Sequence, residues 1–376
     1  MVSIQSAYKQ TISSSLASEA LGPPMTTDRW LARFKRQWQL EPLPGNDLLA
    51  ALSHCNQRAI SLNVNRIKGH WVPRRYHPAD GTLSLCRPDG RANEPFYDQF
   101  VTRSCQRLPV NLLSPRIPIK ALEQVHSSCL RRPAGFIAHL SRCGSTWVSG
   151  SMAELDRSAV ISESPALTEF LLDAQLSEGE RQQLLPRLAD FHVPGGSATS
   201  RPVVKWNAWD LCHWHTVQAA FPDTPVLLII RHPLEILASH RRQTGRHMSG
   251  DPTLASLGPT FRPDHSRNLW ELRLRVLRLL MEHMIDICGN ENTEVIDYSQ
   301  ISPVTMRDFA RHFGFRASKQ EMARVHERSA YCAKHPERKF IPDSSMKREG
   351  FSSREIEDVE RELMPLYCRL MSQTSH

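Results

Sequence analysis

Val226-Leu-Leu-Ile-Ile230 is five aliphatic residues without a break, and it restricts the fold more than any other segment. A strand with one wet face alternates apolar and polar residues. A run with no polar position suits a strand covered on both faces, as in a parallel sheet between helical layers. No apolar run in the sequence is longer, and five is far short of the roughly 20 residues that a membrane-spanning helix needs. Shorter segments of similar character are Gly135–Leu140, Ala159–Ser162, Pro202–Trp206 and Thr293–Asp297. Helical patterns lie between them. Trp270, Leu274, Leu277, Met281 and Met284 share one helix face, and Ser352-x-x-Glu355 opens a closing helix with a capping box, apolar at Ile356, Val359, Leu363 and Leu370. Strands alternating with helices predict an α/β fold, an open parallel sheet flanked by helices.

Residues 28–130 are Pro-rich and irregular by comparison. Trp30, Phe34 and Trp38 recur every fourth position and predict one amphipathic helix. This stretch reads as an accessory region that covers the core, residues 1–27 as a loose Ser- and Thr-rich tail, and 131–376 as the main domain. An apolar fraction of 40% in 376 residues excludes disorder throughout. The tail holds no continuous apolar core of the kind a secretory leader has. Nine scattered cysteines, with no CxxC pair, suggest neither a disulfide scaffold nor a zinc site, so a reducing compartment and a cytoplasmic location are expected. The net charge of +8 favours anionic partners. The basic residues are spread along the chain without the aromatic stripe of nucleic-acid modules, so no nucleic-acid partner is expected.

The first strand runs into Ser141-Arg-Cys-Gly-Ser-Thr146 and then a helix. Backbone N–H groups converge at such a turn and the helix N-terminus adds positive potential, which makes an anion site. It is not a Walker A loop, because no Lys follows the Gly. A plain Ser-rich connection is the alternative. A second element is Arg231, at the carboxyl end of the fourth strand, with Ser239 eight residues on in the following helix. Ligands gather at that edge of open α/β sheets. The alternative there is an arginine that merely caps or pairs.

Together these elements resemble the sulfotransferases that use 3′-phosphoadenosine 5′-phosphosulfate (PAPS), whose fold is P-loop-like. The family's 5′-phosphosulfate loop, [K/R]-x-G-[S/T]-[S/T], is matched by Arg142-Cys143-Gly144-Ser145-Thr146, followed by Trp147. Its 3′-phosphate motif is matched by Arg231 and Ser239 at the family's spacing. The loop is most similar to that of bacterial members reading S-R-C-G-S-T, with Ser162-Glu163 ending the second strand. The resemblance runs from about Gly135 to the C-terminus. It implies that Gly144, Ser145 and Thr146 hold the 5′-phosphate and that Arg142 meets the bridging oxygen. Trp147 would stack on the adenine, Arg231 and Ser239 would bind the 3′-phosphate, and Tyr298 would touch the nucleotide. Lys347-Arg348-x-Gly350 loosely resembles the family's C-terminal closing element.

Sulfuryl transfer depends on in-line positioning and charge stabilisation. Lys205, which ends the third strand, and Arg142 are the candidate cations. The family's usual histidine position, two residues after Lys205, holds Asn207, which takes no proton. Relatives acting on tyrosine use a Glu at the position of Glu163, so Glu163 is the expected general base. His139, His213 and His215 are fallback bases. No metal is required. The long connection over 244–268 reads as a lid. Trp206, Trp209 and Trp214 line an acceptor pocket or pack in the core. The expected product is adenosine 3′,5′-bisphosphate (PAP), and the expected acceptor is a small molecule. The competing readings are an ATP- and Mg-dependent P-loop phosphotransferase and a non-catalytic nucleotide-binding protein. Acceptor identity and oligomeric state are not legible.

Overall fold

The computed structural model describes residues 3–13, 25–195, 200–251, 259–261, 268–339 and 350–374. In chain order the elements are α1 (Ile4–Ser13), α2 (Thr27–Trp38), α3 (Gly45–Gln57), α4 (Val64–Ile67), β1 (Val72–His77), β2 (Thr82–Cys86), α5 (Tyr97–Arg107), β3 (Arg116–Pro118), β4 (Gly135–His139), α6 (Ser145–Ala153), β5 (Ser158–Ser162), α7 (Pro165–Leu171), α8 (Glu178–Phe191), β6 (Arg201–Lys205), α9 (Trp214–Ala220), β7 (Val226–Ile230), α10 (Pro233–Arg242), α11 (Leu269–Ile287), β8 (Thr293–Asp297), α12 (Met306–His312), α13 (Lys319–Ser329), β9 (Tyr331–Cys332), β10 (His335–Lys339), α14 (Ser353–Glu362) and α15 (Met364–Met371).

The chain divides into two compact units, residues 1–132 with 163–202, and residues 133–162 with 203–376. This differs from the division expected from sequence, because 163–202 goes with the N-terminal region. Long-range polar ties explain the difference. In the first unit the β1 phenol of Tyr76 donates to Asp173 at 2.5 Å, and Asp190 of α8, fully buried, pairs with Arg131 at 2.6 Å and with Lys68. A carboxylate without exposure has to be paired in this way. The unit's sheet is a three-stranded antiparallel β1-β2-β3, with a bulge between Pro73 and Arg75.

Residues 4–13, expected within a loose tail, form α1. Ala7, Tyr8 and Ile12 are buried, the Tyr8 hydroxyl donates to Asn56 at 2.7 Å, and the indole of Trp71 donates to the Ile12 carbonyl at 3.3 Å. The helix predicted from Trp30, Phe34 and Trp38 is α2, with the Trp30 and Phe34 rings stacked at 5.3 Å.

The second unit is built on a five-stranded parallel sheet in the order β5-β6-β4-β7-β8. β4 and β7 are buried at every position, as continuous apolar runs require. The chain leaves β4 toward the β5 edge and leaves β7 toward the β8 edge. The order therefore reverses between these two central strands, and the loops after them meet at the topological switch point, where α/β sheets hold ligands. Beside the sheet, Phe309, Phe313, Met152 and Val325 from three helices close a core around Ile137, Leu227 and Ile229. The closing helix is two helices, α14 and α15, separated at Leu363 with Pro365 in the first turn of the second. Ile356, expected on its apolar face, is exposed. Among the described residues no helix is long and apolar enough to cross a membrane.

Gly135 opens β4 because no side chain fits there: a Cβ would lie 2.1 Å from the Phe313 ring. Gly135→Ala is expected to destabilise the protein by about 1–3 kcal/mol through overpacking. Denaturant unfolding checks this, with Gly45→Ala, where nothing lies within 4 Å, as the near-neutral control.

Candidate functional site

The loop between β4 and α6 turns by left-handed backbone. Ser141, Arg142 and Gly144 have φ of 67°, 54° and 87°. For Gly144 this is inexpensive; for Ser141 and Arg142 it is strain that the surroundings hold. Turns with such dihedrals aim successive N–H groups into one concavity, and Gly144 is the N-cap of α6, the positive end of that helix. Two contacts fix the turn. The ring of His139 accepts the Ser141 amide at 2.9 Å, and a Cβ on Gly144 would come within 2.9 Å of the Tyr298 ring. His139, a fallback base in the sequence reading, is thus a buried prop of this loop.

Two cations reach the turn from neighbouring strands. Lys205 at the end of β6 is 1% exposed and donates to the Thr146 hydroxyl at 3.1 Å. Arg231, one residue past β7, is buried and donates to the Arg142 carbonyl at 3.1 Å. The fully buried Cys143 thiol lies in the field of both. Burial pushes it up to about 11, and the loop's backbone, Lys205 and Arg231 all pull the other way. Arg231 also pairs with Glu235 one helical turn on, at 2.7 Å, and lies 3.8 Å over the Tyr298 ring. Arg231 is thus paired, and its contact with the Arg142 carbonyl joins the β7 edge to the β4 loop. Ser239, half-buried, lies a further turn along the same face of α10.

Arg142 directs its guanidinium to the end of α10, donating to the Gln243 carbonyl and, at 3.1 Å, to its side-chain oxygen. Trp147 is half-buried against the core that contains Cys143 and Val148. Tyr298 follows β8, and Asp297 fixes it by accepting from the Ser299 amide at 2.9 Å and the Tyr367 hydroxyl at 2.9 Å. Sequence reasoning missed Glu235, Gln243 and Asp297. The i,i+4 spacing of Arg231 and Glu235 was a usable signal; Gln243 and Asp297 carried none.

Trp206 and Trp214 pack edge-on against Phe136, and Trp209 packs on His247. His213 and His215 lie in a 3-10 turn over 208–213 and in α9. Asn207 caps that turn. Of the expected lid, 244–251, 259–261 and 268 are described, with short 3-10 turns at Arg246–Met248 and Pro259–Phe261; Lys347 and Arg348 lie outside the described residues. Glu163 belongs to the first unit. Its φ is 52°, and the next residue, Ser164, hydrogen bonds the His192 ring at 2.8 Å.

No family model matches the chain, and no curated protein matches it. Solved structures do. A sulfotransferase from Alicyclobacillus acidocaldarius aligns at 16% identity and a TM-score of 0.38, over 64% of this chain and 95% of that one. The sulfotransferase domain from the curacin biosynthetic pathway aligns at 14% and 0.36, over 64% and 97%. Retinol dehydratase in complex with retinol and PAP aligns at 14% and 0.36, over 65% and 83%.

His240, on α10 close to Arg142, is fully buried and pushed down to about 2, mainly by burial and then by His247, Arg142, Arg273 and Lys334. The unfolded chain takes up a proton below the ordinary value of 6.5 that the folded protein refuses. Stability is therefore present above that value and is lost as pH falls through it, at a slope approaching about 1.4 kcal/mol per pH unit. Unfolding measured from neutrality to about pH 5 should show this decline, and His240→Asn should make it shallower; an unchanged slope would contradict the assignment.

Proposed function

We propose that the protein transfers a sulfuryl group from PAPS to a hydroxyl or amine of a small-molecule acceptor, releasing PAP. The single observation that carries the reading is the Arg231 to Arg142 contact. It sets the Arg231 guanidinium against the loop after β4, while the buried Lys205 ammonium donates to Thr146 of the same turn, which supports reading the two motifs as one anion site. A buried ammonium at the positive end of a helix favours an anion bound beside it. Gly144 is required because the Tyr298 and Ile301 side chains pack against the place a Cβ would take, which holds the loop in this conformation.

When bound, PAPS supplies an activated sulfuryl group with a nucleotide phosphate as leaving group. The chain's own residues supply position and charge. Gly144, Ser145 and Thr146, with Cys143 buried beneath, would hold the 5′-phosphate by backbone amides and hydroxyls. Lys205 would stabilise negative charge developing at the bridging oxygen, joined by Arg142, which Gln243 keeps in place. Removing one such preorganised donor typically costs about 10²–10³ in rate. Trp147 and Tyr298 would contact the nucleotide, and Arg231 with Ser239 would receive the 3′-phosphate. Lys347 and Arg348 keep their proposed closing role on the sequence match alone.

Glu163 is assigned the proton from the attacking hydroxyl. What supports this is its strained backbone. Among the described residues four non-glycines have positive φ: Ser141 and Arg142 of the anion loop, Glu163, and Gln39 at a helix C-cap. Strain of this kind is retained where surroundings over-determine it, often at functional turns. The Ser164–His192 hydrogen bond holds the turn, with His192 pushed down to about 4 by burial and so neutral.

Thermal shift with PAP and with adenosine 5′-monophosphate tests the two halves of the site. Ser239→Ala should weaken PAP alone, because only PAP carries a 3′-phosphate; Arg231→Ala should weaken both, since it also braces the loop. Saturation near 100 times Kd stabilises by about 2.7 kcal/mol. Equal losses of both ligands in Ser239→Ala, or no stabilisation of the unaltered protein, would overturn the assignment.

A mass-resolved transfer assay tests the chemistry. Glu163→Gln and Arg142→Ala should each lower turnover by about 10²-fold or more while leaving PAP binding near its original strength. Turnover near that of the unaltered protein would remove the residue concerned from the mechanism.

A further inference from the structure

The histidine behind the Glu163 turn is tied at both of its ring nitrogens. His192, 1% exposed, is the C-cap residue of α8. Its amide turns to the Ala189 carbonyl at 3.3 Å, three residues back, and its ring Nδ1 lies 2.7 Å from the Leu188 carbonyl. A carbonyl only accepts, so Nδ1 carries the ring proton and donates it. On the other side of the ring, Nε2 lies 2.8 Å from the Ser164 hydroxyl. Burial pushes His192 down to about 4, against the opposing effect of the Leu188 carbonyl, so at neutrality Nε2 holds no proton and accepts. The Ser164 hydroxyl is therefore the donor, and its one proton is committed. The buried Tyr97 ring of α5 packs against the imidazole, with ring centres 5.0 Å apart.

That commitment takes Ser164 from its usual task. It is the N-cap residue of α7, with φ of −66° and ψ of 123°, where a serine oxygen normally accepts from an amide two or three residues on. Here the side chain makes no such bond. α7 opens with Pro165, which has no amide to offer, and the Thr168 amide bonds the Ser164 carbonyl at 3.3 Å instead. The hydroxyl joins a residue 28 positions away. One line of hydrogen bonds thus runs from the Leu188 carbonyl through the imidazole to the residue beside Glu163. Glu163, at φ of 52°, occupies a conformation that side chains other than glycine's rarely adopt and that persists only where its neighbours are fixed. Relaxing that backbone would swing Ser164 away from His192.

We propose that His192 is a positioning residue for the transfer: through Ser164 it holds the Glu163 carboxylate where that group takes the proton of the attacking hydroxyl. This rests on the assignment of Glu163 as general base. His192 itself moves no proton; its neutral ring is a fixed bolt between the end of α8 and the start of α7. Misplacing a reacting group by about 1 Å can cost about 10²-fold in rate. Losing either bond of the bolt therefore acts on turnover, and acts only through Glu163.

The test is a double-mutant cycle on the full-length protein in the mass-resolved transfer assay, with PAP thermal shift as the check on fold and cofactor binding. Ser164→Ala and His192→Phe should each lower kcat by about 10-fold or more, with acceptor KM and PAP affinity little changed. His192→Gln, whose side-chain oxygen accepts from Ser164, should retain more turnover than His192→Phe. On a Glu163→Gln background, neither Ser164→Ala nor His192→Phe should lower kcat further, because the group they position is already gone. The same fractional loss on that background, or single variants at full turnover beside an impaired Glu163→Gln, would overturn the role of His192 and leave the base assignment standing. Full turnover in Glu163→Gln would overturn the base assignment, and the role of His192 with it. Should His192→Phe fail to bind PAP, Ser164→Ala alone and with Glu163→Gln decides.

Discussion

Two buried cations approach a single turn of backbone, and the second unit is arranged around that fact. Lys205 arrives from β6, Arg231 from β7, and between them the chain leaves β4 through Ser141, Arg142 and Gly144 in left-handed conformations. Burying positive charge is expensive, so its geometry is held firmly. Glu235 meets part of the Arg231 charge, Thr146 accepts from Lys205, and the Tyr298 ring lies under the guanidinium. An anion bound at the turn would complete this arrangement, and the proposed function rests on that electrostatic logic.

The fold supplies the convergence. Parallel strands end side by side at one edge, and the reversal of strand order between β4 and β7 opens a gap between the loops that follow them. Aliphatic residues in β4 and β7 fix the register of the sheet, with Phe136 opposite Val226 and His139 opposite Ile229. That register sets where Leu140 and Arg231 leave the sheet, and hence where the loop amides and the guanidinium meet. Gly135 contributes from the opposite end of β4 by admitting the Phe313 ring, which anchors α12 to the strand.

The second unit was legible because its signals are local. A fully covered strand writes its burial into consecutive residues, and the loop and Arg–Ser motifs sit directly after such strands. Apart from α2, the first unit was not legible, because its order comes from pairs far apart in sequence. Asp190 meets Lys68 and Arg131, Tyr76 meets Asp173, and Trp71 meets the Ile12 carbonyl. No periodicity announces such partners, and α1 looks like a polar tail until Tyr8 and Ile12 find their places. At the site, the spacing of Arg231 and Ser239 was visible, whereas the dependence of Arg142 on Gln243 was not, since a carbonyl at a helix end leaves no mark in composition.

A crystal structure of the protein grown with PAP tests the central claim most directly. The account predicts the 5′-phosphate within hydrogen-bond distance of the Gly144, Ser145 and Thr146 amides and of Lys205, with the 3′-phosphate against Arg231 and Ser239. Density for the nucleotide elsewhere on the chain, or none at saturating concentration with the loop accessible, would contradict it.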